Sequence, residues 1–256
     1  MRFFVSVSYN GERYSGWQRQ ANALTVQEIL EDAMSKALGT QIELTGAGRT
    51  DAGVSASGYI AHFDCENDLK EPGRLLYKIN AILPSDIVAH FFATVAPEAH
   101  ARFDATSRSY CYKVNTEKDP FAWHSYYWRF PFDMEAMNRA AAVLLGTHDF
   151  SSFEKVGADN KTSVCTVSRA QWSAEDESHF RFDITADRFL RNMVRAIVGT
   201  LLDVGRGKIF ADDIAGLLEK KDRSAAGQSV PGEPLSLCGI TYPYELKIIN
   251  NLKQCY

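Results

Sequence analysis

Apolar and polar positions alternate at the start of the chain and then change to helical spacing. A first strand is predicted from apolar residues at every second position, namely Phe3, Val5, Val7 and Tyr9. After a polar loop over residues 10–22, a helix is predicted from apolar residues at helical spacing, namely Val26, Ile29, Leu30, Ala33 and Ala37. Thr25 is its expected N-cap with Glu28 as capping-box partner, and Gly39 is its expected end.

The same patterns predict a βαββαβ order for the first half of the chain. A short strand is expected at 41–45, followed by a glycine-rich loop over 46–58 and a strand beginning at Tyr59. Pro72 opens a helix that stops at Pro84, and a strand follows from Ile87 to Val95.

From about residue 106 this order repeats. Strands are predicted at 107–115, 163–173, 179–185 and near 236–242, and helices at 133–145 and 190–204; an additional helix at 211–219 and a Gly/Pro/Ser-rich stretch at 224–234 precede the last strand. The sequence therefore predicts an α+β fold of two pseudo-symmetric ferredoxin-like halves, residues 1–105 and 106–256, whose antiparallel sheets flank a central cleft.

Composition restricts the class of protein. The 256 residues are 45% hydrophobic and 23% charged, as in globular domains, and contain no apolar run long enough to cross a membrane. The first residues lack the apolar centre of a signal peptide. The cysteines are scattered without a CxxC pair, which argues against a disulfide framework or a zinc site: Cys65, Cys111, Cys165, Cys238 and Cys255. We expect a cytoplasmic protein. A net charge of −4 does not by itself indicate a nucleic-acid partner.

The first candidate site is the loop Gly46–Ser55, which sets Arg49 and Asp51 between glycines. Its spacing matches neither GxGxxG nor the Walker pattern, which are the two glycine patterns of phosphate-binding loops. Asp51-Ala52-Gly53 is similar to an aspartic-protease loop, but that chemistry needs a second such loop, and the sequence has none. Two interpretations of Asp51 stay open from the residues alone: a turn cap paired with Arg49, or a catalytic carboxylate.

Two further segments carry candidate chemistry. Tyr110 and Tyr112 share one face of a predicted strand, where they serve either as a base-stacking surface or as core tyrosines. Arg191 and Arg195 are expected one turn apart on a helix, either on a solvated face or, for one of them, paired to a carboxylate in a cleft.

Together these segments resemble the tRNA pseudouridine synthase A (TruA) family. The resemblance also includes the amino-terminal segment from Tyr9 through Gln20 and spans nearly the whole chain; the supporting stretches are 80–84, 100–103, 146–153 and 221–223. It implies that Asp51 is the catalytic aspartate, that Tyr110 stacks on the target uracil, and that Arg195 pairs with the aspartate. Leu235 would pack near the base. Arg49 would help to displace the target nucleotide from the RNA helix.

The resemblance implies an isomerase that needs no cofactor and no metal, acts as a homodimer on tRNA, and converts uridines 38, 39 and 40 of the anticodon stem-loop to pseudouridine. Three positions depart from the family pattern: Ser55 stands where the family has His, and Ser109 and Cys111 replace arginines. A paralogue with a shifted target uridine, or a tRNA-binding or folding protein that kept the scaffold, is therefore the alternative.

Overall fold

The structure is a computed structural model that describes residues 1–157 and 161–251. It divides into two compact units: Met1–Thr106 together with the chain from Leu237 onward, and Ser107–Ser236. The sequence-based division after residue 105 falls beside this boundary. The residues after 236, which the sequence assigned to the second half, belong to the first unit in this division.

Each unit combines helices with strands. The chain begins with β1 (Arg2–Tyr9), α1 (Val26–Leu38), β2 (Thr45–Gly46), β3 (Ser55–Asp64), α2 (Pro72–Ile82) and β4 (Ile87–Thr94). It continues with β5 (Ser107–Asn115), β6 (Tyr126–Tyr127), α3 (Met134–Ala142), β7 (Gly146–Asp149), β8 (Val164–Ala174), β9 (His179–Ala186), α4 (Met193–Gly205) and α5 (Asp213–Lys220). The last strands are β10 (Leu235–Thr241) and β11 (Lys247–Asn251). The prediction of an α+β fold is confirmed, whereas the pseudo-symmetry of two ferredoxin-like halves stays a prediction.

The sheet of the first unit has the order β11-β4-β1-β3-β10, with β2 also paired to β3. The pairs β1–β3, β1–β4, β4–β11 and β2–β3 are antiparallel. Phe3 and Phe4 are both fully buried although they point to opposite faces of β1, because both faces of this strand are covered. Phe4 packs with Ile60 and Ala93, and its ring centroid is 5.2 Å from that of Tyr242, the residue after β10.

The second unit has the sheet order β5-β9-β8-β7, and its β5–β9, β9–β8 and β8–β7 pairs are antiparallel. The short strand β6 pairs with β5 in parallel. Trp172 and Phe182 lie side by side on the buried face of β8 and β9, with ring centroids 5.1 Å apart. Met137 of α3 and Ile197 of α4 are also fully buried, so both helices contribute to the core of this unit.

The predicted N-cap and end of α1 are confirmed. The Thr25 hydroxyl accepts a hydrogen bond from the Glu28 amide, and Gly39 ends the helix in the left-handed conformation with φ of 72°. Pro72 opens α2 as predicted. Elsewhere the bounds differ: β3 begins at Ser55 rather than Tyr59, β2 is limited to Thr45–Gly46, and β6, β7 and β11 were not predicted.

The expectation that Arg191 and Arg195 lie one turn apart on a helix is wrong. The helix α4 begins at Met193, because Asn192 before it takes a left-handed conformation with φ of 67° that interrupts the backbone. Arg191 therefore lies in the turn before the helix and Arg195 in its first turn.

None of the helices in the described ranges is both long and apolar enough to span a membrane. Cys65, Cys111, Cys165 and Cys238 are free thiols. Cys255 lies outside the described residues.

Candidate active site

Asp51 lies in the loop between β2 and β3, residues 47–54, which we name the Asp51 loop. Its side chain is half-buried, between the buried Thr50 and the exposed Ala52. The Thr50 hydroxyl is 2.9 Å from the Tyr9 hydroxyl at the end of β1. This hydrogen bond ties the residue next to Asp51 to the central strand of the sheet.

A second loop, residues 10–22, supports the Asp51 loop through its backbone. The Trp17 amide donates to the Thr50 carbonyl (3.3 Å), and the Gly53 amide donates to the Tyr14 carbonyl (3.2 Å). These bonds flank Asp51 on both sides in sequence. Gly16 makes the contact possible, because its φ is +86° and a Cβ there would lie 2.2 Å from the Thr50 carbonyl oxygen.

Aromatic residues pack against the start of the Asp51 loop. The rings of Trp17 and Tyr59 stack with centroids 4.1 Å apart, and Tyr59 donates its hydroxyl proton to the Gly48 carbonyl. A Cβ at Gly46 would lie 2.1 Å from the Tyr59 hydroxyl oxygen, so only glycine fits there. Arg49, one residue after Gly48, is exposed.

Ser55, one of the three positions at which the resemblance implies a departure from the family pattern, joins the two loops. Its hydroxyl accepts a hydrogen bond of 3.0 Å from the Gly11 amide. A Cβ at Gly11 would lie 2.1 Å from the Val54 carbonyl oxygen. The Ser55 side chain therefore helps to hold the loop over residues 10–22 against the Asp51 loop.

Tyr110 and Tyr112 share a face of β5 as predicted, but their surroundings differ. Tyr112 is fully buried and donates to the Pro231 carbonyl (3.2 Å), and burial raises the pKa of its hydroxyl above the usual range. Tyr110 is half-buried, with its ring edge-on to Phe189 and the centroids 5.1 Å apart. Tyr112 is therefore a core tyrosine, whereas part of the Tyr110 ring stays accessible.

Arg195 is half-buried in the first turn of α4 and is held by the segment that follows α5. Its Nε donates to the Val230 carbonyl (2.7 Å), and the Val230 amide donates to the Arg195 carbonyl (3.2 Å). One residue thus fixes both the backbone and the side chain of Arg195.

Residues 230–235 link Arg195 to β5 within the second unit. After Val230, the Pro231 carbonyl accepts from Tyr112 and the Pro234 carbonyl accepts from the Lys113 amide (3.3 Å). Leu235 follows at the start of β10 and is 5% exposed. One segment therefore connects the Arg195, Tyr112 and Leu235 positions. Arg49 and Asp51 belong to the first unit.

One protein-family model matches most of the chain. The model described as tRNA pseudouridine synthase matches residues 5–104 and 140–243. The chain belongs to this family. Arg49 and Asp51 fall in the first matched segment of this family member, Arg195 and Leu235 fall in the second, and Tyr110 lies between the two.

Curated relatives of this chain carry the name of the same family. A tRNA pseudouridine synthase A from Parabacteroides distasonis is 50% identical over 247 residues, which cover 96% of this chain and 97% of the relative. The Bacteroides fragilis protein of that name is 47% identical, covering 96% and 98%, and the Acetivibrio thermocellus protein is 42% identical, covering 92% and 97%. The prediction of a TruA-family enzyme of the isomerase class is confirmed.

The structure gives roles to residues that the sequence did not assign to the site of this family member. Gly16, Trp17 and Tyr59 hold the Asp51 loop, while Val230 binds Arg195. The aromatic and glycine content of residues 14–17 was one available signal. The stretch 224–234 gave only a loop-like composition.

Proposed function

We propose that this protein isomerises uridine to pseudouridine in the anticodon stem-loop of tRNA, at positions 38, 39 and 40, with Asp51 as the catalytic carboxylate. The support of the Asp51 loop carries this proposal. Backbone hydrogen bonds at Thr50 and Gly53 hold Asp51 in place while its side chain stays partly accessible. A carboxylate held in this way is suited to meeting a substrate in a fixed orientation.

The reaction explains why so few groups suffice. The bond between C1′ of the ribose and N1 of the uracil breaks, the uracil turns, and a bond forms between C1′ and C5. The hydrogen on C5 leaves as a proton and N1 gains one, so nothing is oxidised and no group is imported. We therefore propose that neither a metal nor a cofactor takes part. A carboxylate suits three routes: attack on the sugar, attack on the base, and removal of a ribose proton.

The other residues have roles that follow from their chemistry. Arg195 is proposed to pair with Asp51 through its guanidinium group. Tyr110 is proposed to stack on the uracil, consistent with its half-buried ring. The exposed Arg49 is proposed to take the place of the flipped nucleotide in the RNA stem, and Leu235 to pack near the base.

We propose that the protein binds tRNA as a homodimer in the cytoplasm, and that its two halves are ferredoxin-like. Recognition would then rest mainly on the shape and the phosphates of the tRNA. Sedimentation of the protein alone and with tRNA measures the stoichiometry, and a monomer bound to one tRNA would contradict the dimer.

The experiment is pseudouridine mapping on unmodified tRNA transcripts by carbodiimide treatment and primer extension, without added metal or nucleotide. We expect wild type to produce stops in the anticodon arm. We expect Asp51→Asn to lower the rate by roughly 1000-fold or more, the scale of removing an essential catalytic group. Asp32→Asn, on an exposed position of α1, makes the same charge change away from the loop and is the matched control.

Each outcome distinguishes the alternatives. Stops that survive Asp51→Asn would show that Asp51 is not catalytic. Wild-type protein that binds tRNA but leaves no stops would support the non-catalytic tRNA-binding alternative. Stops at other uridines of the tRNA panel would support the paralogue with a shifted target, which the departures at Ser55, Ser109 and Cys111 bring into question.

A further inference from the structure

The segment 226–230 crosses the helix α4 in close contact and carries the carbonyl that binds Arg195. The Gly227 amide donates to the Thr200 hydroxyl (2.9 Å), which in turn donates to the Ala196 carbonyl (2.8 Å). A Cβ at Gly199 would lie 1.8 Å from the Gln228 carbonyl oxygen. The segment is thus seated on the backbone of the helix, with little freedom to shift.

In this segment, Ser229 binds the side chains of two residues from outside the segment. Its hydroxyl oxygen accepts from the Asn192 amide group (2.7 Å) and from the Arg223 guanidinium (2.8 Å). Arg223 also donates to the Gly227 carbonyl (3.0 Å). Ser229 is therefore bonded both to the turn before α4 and to the region after α5, immediately before Val230.

Asn192 has an unusual backbone for a residue with a side chain, with φ of 67°. Such conformations are uncommon outside glycine and are often found where a function requires a fixed geometry. Its side chain bonds Ser229 at the position where α4 begins, three residues before Arg195. The left-handed turn thus places the start of the helix and the Val230 segment in one hydrogen-bonded unit.

We propose that Ser229, held by Asn192 and Arg223, is a positioning residue for Arg195. It fixes the Val230 carbonyl, which binds the Arg195 Nε at 2.7 Å and so sets the orientation of the guanidinium plane. With Nε engaged, pairing with a carboxylate uses the two terminal amino groups. This inference rests on the proposed role of Arg195 as the partner of the catalytic carboxylate.

The test is a double-mutant cycle measured as single-turnover tritium release from tRNA that carries tritium at C5 of uracil. We expect Ser229→Ala to lower the rate constant about 10-fold through misorientation of Arg195, with the Kd for tRNA unchanged. In the Arg195→Lys background, lysine has no donor at the Nε position. There we expect Ser229→Ala to change the rate by less than about 2-fold, because the pathway through Nε is already absent.

Two further variants separate positioning from stability. Ser224→Ala removes a hydroxyl bonded to Asp222 in the same region (2.7 Å) and is the matched control, expected to react like wild type. Ser229→Thr keeps the hydroxyl and is expected to restore the rate to within about 2-fold of wild type, again measured in single turnover. This variant decides the question if the Arg195→Lys protein is too slow to measure.

The outcomes keep this inference distinct from the proposed function. A slow Arg195→Lys with a normal Ser229→Ala would overturn the positioning role and leave the role of Arg195 intact. An equal loss from Ser229→Ala in both backgrounds would show that Ser229 acts independently of Arg195, which also overturns it. An Arg195→Lys protein as fast as wild type would contradict the role of Arg195 itself.

Discussion

Gly16 approaches Thr50 so closely that a Cβ at residue 16 would lie 2.2 Å from the Thr50 carbonyl oxygen. That carbonyl accepts the amide hydrogen of Trp17 and belongs to the peptide bond that leads into Asp51. The position of the candidate catalytic carboxylate therefore depends on the absence of a side chain 35 residues earlier in the chain.

Gly16→Ala is expected to displace the Asp51 loop, because the methyl group meets backbone rather than a flexible side chain. We expect the single-turnover rate to fall about 10-fold or more. The matched control is Gly39→Ala, which has a similar φ of +72° but no neighbouring atom within 4 Å. Gly39→Ala should lose only about 1 kcal/mol of unfolding free energy, the cost of a left-handed backbone for a residue with a Cβ. It should keep wild-type activity.

Urea unfolding and the tritium-release rate measure the two effects separately. Equal losses of stability and equal rates for Gly16→Ala and Gly39→Ala would show that the contact with Thr50 has no influence on the site.

Gly199→Ala should separate the segment 226–230 from α4, because its Cβ would lie 1.8 Å from the Gln228 carbonyl oxygen. Overpacking of this kind costs about 1–3 kcal/mol of unfolding free energy. The displaced segment includes Val230, so we also expect a lower rate at saturating tRNA. Denaturant unfolding and steady-state kinetics test these expectations.

Gly216→Ala on α5 is the matched control, because it is also a helical glycine but has no neighbour within 4 Å of the added Cβ. Alanine there should raise the unfolding free energy by about 0.5–1 kcal/mol through helix propensity, without a change in rate. A Gly199→Ala protein that behaves like Gly216→Ala would contradict the close crossing.

His62 is expected to make the first unit sensitive to acid. The side chain is 6% exposed and its Nδ1 accepts from the Ala101 amide (3.1 Å). Burial, together with the charges of Arg2 and His100, lowers the pKa of His62 to about 4. Between about pH 6.5 and pH 4 the unfolded chain binds a proton that the folded protein does not. The unfolding free energy should therefore fall as pH drops through this window, by about 2 kcal/mol at pH 5.

His62→Asn offers an acceptor near the Nδ1 position and does not titrate, so its stability should change less between pH 7.5 and pH 5. His124→Asn, at an exposed histidine, is the control and should keep the wild-type slope. Urea midpoints at several pH values provide the measurement. An unchanged slope in His62→Asn would show that other groups cause the acid sensitivity.

The sequence by itself determined the elements whose signals are local and the residues of the motifs. Thr25, Glu28 and Gly39 mark the bounds of α1 because capping depends on atoms only three or four residues apart. Alternation identified β1 and β5 for a similar reason, since the side chains of a strand change face at each residue. The motif order around Asp51 and Arg195 was sufficient to recognise the family, which the comparisons confirm.

Only the tertiary structure decided which of two similar residues takes which environment. Tyr112 is in the core and Tyr110 is half-buried, although both have the same periodicity. Arg191 leaves the helix because the Asn192 turn is stabilised by Ser229, 37 residues later. Contacts between distant segments, such as Gly16 with Thr50, depend on how the chain packs. A periodic pattern shows only which face of a single helix or strand each residue occupies. It therefore could not predict contacts between distant segments.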